Sequence, residues 1–518
     1  MKRHSFKSGL LSLMALCIMA LTIGSCANDD VAQNPTIPND DKNLTTFTAG
    51  TPTTRTSMES NGKFFWEQGD KIYVKDDNGA WHASSNSPTG KTDNFKFKVP
   101  GTYTAHNSYE VYYPGQGGSN DQAKISASQS QAEPNTTTHF GAAGDCGMAT
   151  ATKVPGKQQF AFTLDHKAAY LLFLPRTSNT ILHDCYLTKV EINSDNDITD
   201  TYTLNPTTGE LTGTGTGKQI TVELGGSGTY TNGFPLTNNT ASAATNGSYI
   251  VIKPGTHTLK IRYWVKDIAT FVEGTITKVL SSKNFEQNKY YNITANLDVH
   301  DYDGDHYYMW DAKKQYWEGY EWNKGGSQPT LEYLPASGDY AQNSGDPRYY
   351  NENISGSPVS NPATHAPCKD LPNVNEMTWY VYKGDPHWDQ DELWSTMGHL
   401  YKGGIWFKKK AYISGFTNTT AYNGIDWRIY SHDESTSVPS TPPSAADANK
   451  YFYLPFLGRY TSGKLSNVGN YGRYWSSSAD PTHSTAFYLR LGSGFVGIGN
   501  ESRGDGNRAQ KFSDFGED

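Results

Sequence analysis

Acidic residues alternate in one short segment of the chain and could bind a divalent cation. Asp301, Asp303 and Asp305 form an Asp-x-Asp-Gly-Asp sequence, and carboxylate oxygens are the ligands that Ca²⁺ prefers. The spacing departs from that of an EF-hand loop, because His306 stands where such a loop needs Gly and Ala312 stands where it needs a bidentate Glu. Two interpretations stay open: a divalent-ion site, with calcium as the candidate, or an acidic turn between two domains.

Basic and aromatic residues near position 400 form a second candidate site. The basic residues are three consecutive lysines, Lys408, Lys409 and Lys410. They could bind an anionic glycan, or they could be the solvated end of a strand, where lysine discourages edge-to-edge pairing. Trp388, Trp394 and Tyr401 could form an aromatic stripe that stacks on a sugar, while core packing explains Trp394 at least as well.

Motifs of nucleophilic, metal and phosphate chemistry are missing from the sequence. It has no Ser in a Gly-x-Ser-x-Gly context, no His-Glu-x-x-His and no phosphate-binding Gly loop. Glycosidases need two carboxylates at no fixed spacing, so the 52 acidic residues leave that chemistry open. We predict a protein that is not an enzyme and has no resident cofactor.

The composition predicts a β-rich, multidomain chain. Its 518 residues correspond to two to four domains of about 150 residues each. Aromatic residues reach 13% and hydrophobic residues only 36%, which favours strands and excludes a protein with many membrane spans. A net charge of −8 gives no electrostatic signature of nucleic-acid binding.

The N-terminus has the features of a bacterial lipoprotein signal. Residues 1–25 contain a basic start and the apolar run Leu10–Ile23, which is too short to cross a bilayer comfortably. Ile23-Gly-Ser-Cys26 resembles a lipobox, so Cys26 is predicted to carry a lipid such as palmitate; an ordinary secretory cleavage is the alternative. Residues 26–44 are predicted to be a polar tether, and the acidic residues after Cys26 resemble surface-export signals.

The cysteines of the exported part indicate neither a disulfide framework nor a zinc cluster. Cys146, Cys185 and Cys368 are odd in number and widely spaced. Buried free thiols are one interpretation, and a single Cys146–Cys185 bridge is the other.

Short strand candidates between Gly, Asn and Pro clusters run from about residue 45 to residue 298. In Thr258–Val265, the residues Leu259, Ile261, Tyr263 and Val265 share one face, which is typical of a half-buried strand. We predict two packed β-sandwich subdomains, 45–178 and 179–298.

The composition changes after Asp298, and nine of the twelve Trp residues lie beyond position 300. A capping-box pattern, Asn373-Val-Asn-Glu376, predicts a helix to about Tyr382. The acidic start and Gly-Gly end of Asp389–Tyr401 predict a second helix, and Gly492-Ser-Gly494 predicts a hairpin. Residues 299–518 are therefore predicted to form an α+β domain.

The front of the β region resembles fimbrillins of the FimA/Mfa type, which are lipoproteins of Bacteroidetes surface pili. The resemblance rests on Arg55-Thr-Ser-Met, on Phe65-Trp-Glu-Gln-Gly-Asp-Lys-Ile-Tyr-Val74 and on the terminal strand Lys289–Leu297. It covers about residues 45–298 and implies transthyretin-like β-sandwich subdomains. It also implies cleavage between Arg55 and Thr56 and strand exchange between subunits; an exposed Arg in a linker is the alternative for Arg55.

The last domain resembles C-type-lectin-like modules of the FISUMP/Lcl type. The matching residues are Leu371–Glu376, Gly472-Arg-Tyr474-Trp475-Ser-Ser-Ser478 and Ala486–Leu491, and Tyr474 and Trp475 join the candidate ligand-binding set. The expected closing strand is replaced by Gly506-Asn-Arg508-Ala-Gln, and the calcium-lectin ligand motifs are missing here.

These features together predict a mainly β surface lipoprotein of the outer membrane or fimbrium. We expect a tip or accessory fimbrial adhesin whose partners are other fimbrial subunits, with a glycan or protein ligand bound by the C-terminal domain. The alternative is a glycan-binding lipoprotein that never polymerises. Nucleic acid is not expected as a partner.

Overall fold

The protein is mainly β, as the sequence predicts, and many of its short strands show alternating buried and exposed residues. The computed structural model describes residues 43–50, 57–58, 64–268, 271–357 and 359–517. The run Ser108–Tyr113 is a strand in which Tyr109, Val111, Tyr112 and Tyr113 are buried. The face predicted from Leu259, Ile261, Tyr263 and Val265 is buried along its whole length, so this pattern is confirmed.

The first part of the chain builds an eight-stranded sheet. The elements in chain order are β1 (Leu44–Ala49), β2 (Ser57–Met58), β3 (Phe64–Phe65), β4 (Tyr73–Lys75), β5 (Trp81–Ala83), β6 (Phe95–Pro100), β7 (Ser108–Tyr113), β8 (Gln122–Ile125), β9 (Ser128–Gln131), α1 (Phe140–Ala143), β10 (Gly147–Lys153), β11 (Gln159–Phe162) and β12 (Asp165–His166). The strand order is β5-β4-β7-β10-β11-β1-β6, with β12 also on β10. Phe47, Trp66, Val111 and Phe160 belong to its hydrophobic core.

The second part adds a three-stranded sheet and the central strands of a ten-stranded sheet. Its elements are β13 (Ala169–Arg176), β14 (Cys185–Ser194), β15 (Asp200–Leu204), β16 (Leu211–Thr212), β17 (Gln219–Leu224), β18 (Phe234–Pro235), α2 (Ala243–Asn246), β19 (Ser248–Ile252), β20 (Gly255–Asp267), β21 (Glu273–Phe285) and β22 (Tyr290–Asn296). The small sheet runs β19-β13-β22. It shares one hydrophobic cluster with β14 and β20, and Phe173 contacts Tyr263 across the two sheets.

The third part extends the ten-stranded sheet and adds a separate one. Its elements are β23 (Asp301–Tyr302), β24 (Tyr307–Tyr308), α3 (Val374–Lys383), β25 (His387–Thr396), β26 (His399–Lys408), β27 (Glu434–Ser437), β28 (Tyr451–Pro455), β29 (Leu457–Thr461), β30 (Lys464–Val468), β31 (Tyr471–Ala479), β32 (Thr485–Gly492), β33 (Phe495–Ser502) and β34 (Asn507–Arg508). The large sheet runs β28-β26-β25-β21-β20-β14-β17-β9, with β18 also on β14 and β23 also on β25. The separate sheet runs β24-β34-β31-β32-β33-β27, with β29 on β31 and β30 on β29.

Short 3-10 helices connect several of these strands. Their bounds are Thr180–Asp184, Gly228–Tyr230, Trp322–Lys324, Cys368–Asp370, Lys410–Tyr412, Trp427–Ile429, Ala448–Lys450 and Phe512–Phe515. The described residues from Leu44 onward make up one compact unit, so the division at residues 178 and 298 stays a prediction.

The predicted second helix, Asp389–Tyr401, is wrong, because this segment is most of the hairpin β25–β26. Met397 and Gly398 take positive φ values of 49° and 80° at the turn, where a tight hairpin favours such angles. A register shift between Asp389 and Leu393 interrupts the alternation of β25, which hides the strand pattern from the sequence. The other predicted hairpin, around Gly492–Gly494, is confirmed as β32–β33.

The first predicted helix is confirmed as α3, and its cap is the one that the sequence indicates. The Asn373 side chain accepts from the Glu376 N–H at 3.0 Å, and Glu376 accepts from the Asn373 N–H at 2.9 Å. This reciprocal pair satisfies two backbone donors that the helix itself leaves unpaired.

We predict that Asn373→Ala lowers the free energy of unfolding by about 1 kcal/mol. The change removes the oxygen that accepts from the N–H of Glu376. Asn373→Asp keeps this oxygen and serves as the control, which we expect to lose less. Urea unfolding followed by tryptophan fluorescence measures both, and equal losses in the two variants would contradict a capping role.

Candidate functional site

Strand β1 lies in the interior of the first sheet although it comes at the N-terminal end of the described chain. It pairs antiparallel with β6, from Leu44 opposite Pro100 to Ala49 opposite Phe95. On its other side it pairs parallel with β11, from Thr46 opposite Gln159 to Ala49 opposite Phe162. Both backbone edges of β1 therefore have partners, and β1 is the strand that connects β6 with β11 in this sheet.

The side chains of β1 fill the core beneath the sheet. Phe47 is fully buried, stacks on Phe160 with ring centroids 5.1 Å apart, and meets Tyr103 edge-on at 5.2 Å. Thr45 and Ala49 are buried on the same face, as the period of a half-buried strand requires. Removing β1 would thus expose an apolar trough between two unpaired strand edges.

The predicted processing residues lie outside the described residues. Cys26, Arg55 and Thr56 all fall in segments whose structure is not described here, and so do the signal 1–25 and most of the tether. In sequence, Arg55 lies between the end of β1 and the start of β2. Cleavage after Arg55 would therefore separate β1 from the rest of the chain, and this remains a prediction.

The predicted lysine run is divided among several local partners. Lys408 pairs with Asp385 at 3.0 Å and lies over the ring of Tyr451. The side chain of Lys410 pairs with Glu517 at 3.0 Å. Lys409 donates its backbone N–H to the carbonyl of Lys450. These lysines mark the end of β26, and their side-chain pairs fit the interpretation of a strand end.

The residues of the predicted aromatic stripe differ in how deeply they are buried. Trp394 is 1% exposed, stacks on Tyr401 and donates to the carbonyl of Gly403 at 3.0 Å, so it packs in the core. Trp388 is half-buried in β25.

Tyr474 and Trp475 lie in the core and offer no surface to a ligand in this structure. Each is 1% exposed. The Tyr474 hydroxyl donates to the carbonyl of Pro455 at 2.6 Å, and the Trp475 indole N–H donates to the carbonyl of Tyr308 at 2.8 Å. The motif that suggested the lectin-like resemblance thus contributes core packing here.

The aspartates of the predicted calcium loop face different partners. Asp301 accepts from the Ser395 hydroxyl at 2.7 Å, and Asp303 faces His306 and Arg508. Burial opposes the charged form of Asp303, but the hydrogen bond from His306 and the charge of Arg508 prevail and lower its pKa. Burial and the neighbouring Asp303 charge raise the pKa of Asp305. Within the described ranges no group of three or more metal-ligating side chains comes together.

A polar seam that the sequence did not indicate joins the second and third parts of the chain. The seam consists of Arg262, Thr275, Thr277, Asp389 and Glu392. Arg262 donates to Asp389 and to the Thr275 hydroxyl, each at 2.8 Å. Glu392 accepts from the Thr277 N–H at 3.0 Å, from its hydroxyl at 2.6 Å and from the Thr275 hydroxyl at 3.0 Å. These bonds connect β20 and β21 with β25.

Glu392 is the unusual member of the seam. Its burial, reinforced by the nearby charge of Asp389, raises its pKa from 4.5 to about 7. The hydrogen bonds from Thr277 and the charge of Arg262 offset only part of this effect. In the sequence, Asp389 and Glu392 look like the exposed acidic start of a helix. The partner Thr277 lies 115 residues away in the chain, so no local sequence pattern indicates this contact.

The three cysteines of the described chain are free and buried, which confirms the interpretation as thiols. Burial raises the pKa of Cys185 and of Cys368 to about 12, so neither is activated as a nucleophile. No described helix has the length and apolar character needed to cross a membrane.

Comparisons with known proteins give weak similarities to solved structures. No family model and no curated protein matches the chain. A Bacteroides ovatus protein named for a proposed role in cell adhesion is 17% identical, over 45% of this chain and 84% of its own, with a TM-score of 0.28. A fimbrial assembly protein from Parabacteroides distasonis is 12% identical, over 49% of this chain and 90% of its own, with a TM-score of 0.24.

One similarity extends over most of the chain. A fimbrial protein from Bacteroides ovatus is 12% identical, over 90% of this chain and 98% of its own, with a TM-score of 0.24. At these TM-scores the similarities do not establish what this chain does.

We predict that Phe47→Ala lowers the free energy of unfolding by about 3 kcal/mol, because it leaves a cavity beside Phe160 and Tyr103. Thr46→Ala, on the half-buried outer face of the same strand, is the control and should cost at most about 1 kcal/mol. Urea unfolding measures both variants. Equal, small losses would show that β1 does not contribute to the core.

We predict that the seam makes stability depend on pH. Because the folded pKa of Glu392 lies above its ordinary value, the folded state holds this proton more tightly, and the free energy of unfolding falls as pH rises from about 4.5 to about 7. Glu392→Gln removes this contribution. The free energy of unfolding of the variant, relative to that of the wild type, should therefore be higher at pH 8 than at pH 5 by on the order of 1–3 kcal/mol. Urea unfolding at both pH values measures it. The exposed Glu332→Gln is the control, and parallel pH profiles for wild type and E392Q would contradict the prediction.

Proposed function

We propose that the chain is a surface lipoprotein that acts as a fimbrial adhesin, at the tip or as an accessory subunit. In this proposal Cys26 carries the lipid anchor, cleavage after Arg55 frees β1, and a strand of another subunit takes its place. The C-terminal part then contacts the ligand. The observation that carries the proposal is the interior position of β1, which precedes Arg55 in the chain.

The physical argument concerns the two strands that β1 separates. Without β1, the backbone groups of β6 and β11 that face it lose their partners, and unpaired backbone groups away from water are costly. The trough left by Phe47 is apolar as well. Such a groove is the acceptor of strand addition, in which backbone hydrogen bonds supply affinity and alternate side chains fill pockets.

The last described residues are packed in the core of their own chain. Phe512 and Phe515 are buried, and Glu517 accepts from the Tyr380 hydroxyl and from the Lys410 N–H at 3.0 and 2.8 Å. This segment could act as a donor strand only after leaving its own core. The large C-terminal part would hinder packing inside a shaft, which favours a position at the tip or as an accessory subunit.

Localisation follows from the same proposal. The lipidated chain would reside in the outer membrane with the bulk of the protein exposed, and the cleaved chain would leave its anchor and join a fimbrium. The resemblance to fimbrillins around Arg55 and Phe65–Val74 supports this sequence of events.

Cleavage by an arginine-specific protease tests the assembly step. We expect the treated full chain to start at Thr56, to lose β1 slowly, and to bind a labelled peptide of residues 44–50. The same peptide with Phe47→Asp should not bind, because the trough is apolar. Arg55→Lys keeps the charge but removes the cleavage site, and it serves as the matched control that stays intact and binds no peptide.

Mass spectrometry of surface-sheared material gives the complementary result. A mature start at Thr56 supports the proposal. Acylated Cys26 throughout, or a cleaved chain that releases β1 and stays monomeric without taking up peptide, would contradict it. Acylated Cys26 throughout would favour the alternative, a glycan-binding lipoprotein that never polymerises.

A further inference from the structure

A polar cleft lies within the long connection between β24 and α3. This connection, residues 309–373, contains no strand among its described residues, and long ordered connections of this kind are often functional. Trp310 and Trp317 are fully buried and fix it to the core. The cleft has a volume of about 670 Å³, within the range of small-molecule sites.

A buried carboxylate holds the walls of the cleft together. Asp311 is fully buried and accepts from the backbone N–H groups of Thr364 and His365 at 2.9 and 2.7 Å. It also accepts from the Asn351 amide at 2.8 Å and from the Thr364 hydroxyl at 3.0 Å. Segments about 40 and 53 residues apart are thereby locked in one arrangement, so the cleft is preorganised.

Aromatic rings provide part of the lining. Tyr349 and Tyr350 are half-buried, with ring centroids 4.4 Å apart and planes inclined by 32°. The hydrogen bond between them and their burial raise the pKa of Tyr349 to about 12, so its hydroxyl is neutral. The charge of Asp346 nearby is taken up by the guanidinium of Arg348 at 2.7 Å.

The rim of the cleft carries polar side chains that are not engaged elsewhere. Among the described residues, the side chains of Lys313, Ser344, Glu352 and Asn353 line the cleft and make no hydrogen bond or ion pair. They offer one cation, one anion, a hydroxyl and an amide. This rim therefore presents both donors and acceptors, with little net charge.

We propose that this cleft binds a neutral oligosaccharide. Sugar hydroxyls need donors and acceptors at once, and sugar C–H faces pack on aromatic rings; the cleft supplies both. The proposal rests on the proposed function and deepens it, since it names the site and the ligand class of the C-terminal part. It also moves the site away from Trp388 and Lys408–Lys410.

Other ligand classes fit this cleft less well. An anionic glycan would face Glu352 and Asp346 with Lys313 as the unengaged cation of the rim. An apolar ligand would find few hydrophobic side chains besides Ile354 and the two tyrosines. An extended peptide is favoured by an open strand edge, which the described residues of this connection do not offer.

Binding of the intact chain to defined oligosaccharides tests the proposal. The probes are malto-, cello-, manno- and galacto-oligosaccharides of two to six units, with sulfated and sialylated oligosaccharides of equal length for comparison. The variant Glu352→Gln/Asn353→Ala changes exposed side chains only. Glu332→Gln/Asn323→Ala changes an equivalent exposed pair of the same connection outside the cleft and serves as the control.

We expect at least one neutral series to bind by calorimetry, and the cleft variant to bind it at least tenfold more weakly. The control variant should bind as the wild type does. No binding of any neutral series, binding of charged oligosaccharides only, or equal affinity in the two variants would overturn the proposal. Cleavage to Thr56 and peptide uptake, measured on the same preparation, show separately whether the assembly part of the proposed function fails.

Discussion

An interior strand must satisfy two neighbours at once, and the first part of this protein depends on that constraint. β1 supplies backbone partners to β6 on one side and to β11 on the other, while Phe47 closes the core beneath them. Loss of a strand at a sheet edge would break the backbone hydrogen bonds to only one neighbouring strand. Loss of β1 would open two ladders and the core together, so some strand has to occupy this position for the fold to be complete.

A different kind of interaction connects the later parts of the chain. β21 and β25 share a single pair in register, Thr275 opposite Glu392, so sheet continuity alone does not explain their attachment. Arg262, Asp389 and Glu392 add buried charge and hydrogen bonds across the same line. Buried charges are expensive unless they are paired, and burial next to the charge of Asp389 raises the pKa of Glu392 to about 7. Packing at this seam is therefore sensitive to protonation in a way that the aromatic cores are not.

The aromatic residues of the C-terminal part serve mainly as structure. Trp310, Trp317, Trp394, Trp427 and Trp475 are all nearly or fully buried, and Trp310, Trp317 and Trp427 belong to long irregular connections that they attach to the core. Because buried tryptophans attach these connections to the core, the polar side chains on their outer surface keep defined positions. The cleft around Asp311 is the clearest result of this arrangement, since its walls come from segments far apart in the chain.

Features that depend on near neighbours in the chain could be predicted from the amino-acid sequence alone. Alternating residues located the buried face of β20, and Asn373 with Glu376 located α3, because a strand period and a helix cap are both set within a few residues. The sequence also pointed to the segment around Arg55 through local resemblance. It did not determine that Asp389–Tyr401 is a hairpin, since a register shift hides the alternation, nor that Tyr474 and Trp475 are core residues. The seam at Glu392 and the cleft at Asp311 depend on tertiary structure, because the residues that form their hydrogen bonds lie 40 to 127 positions apart in the chain. Burial is also a property of the folded chain, and it sets both the pKa of an acidic side chain and whether an aromatic ring packs in the core or faces solvent.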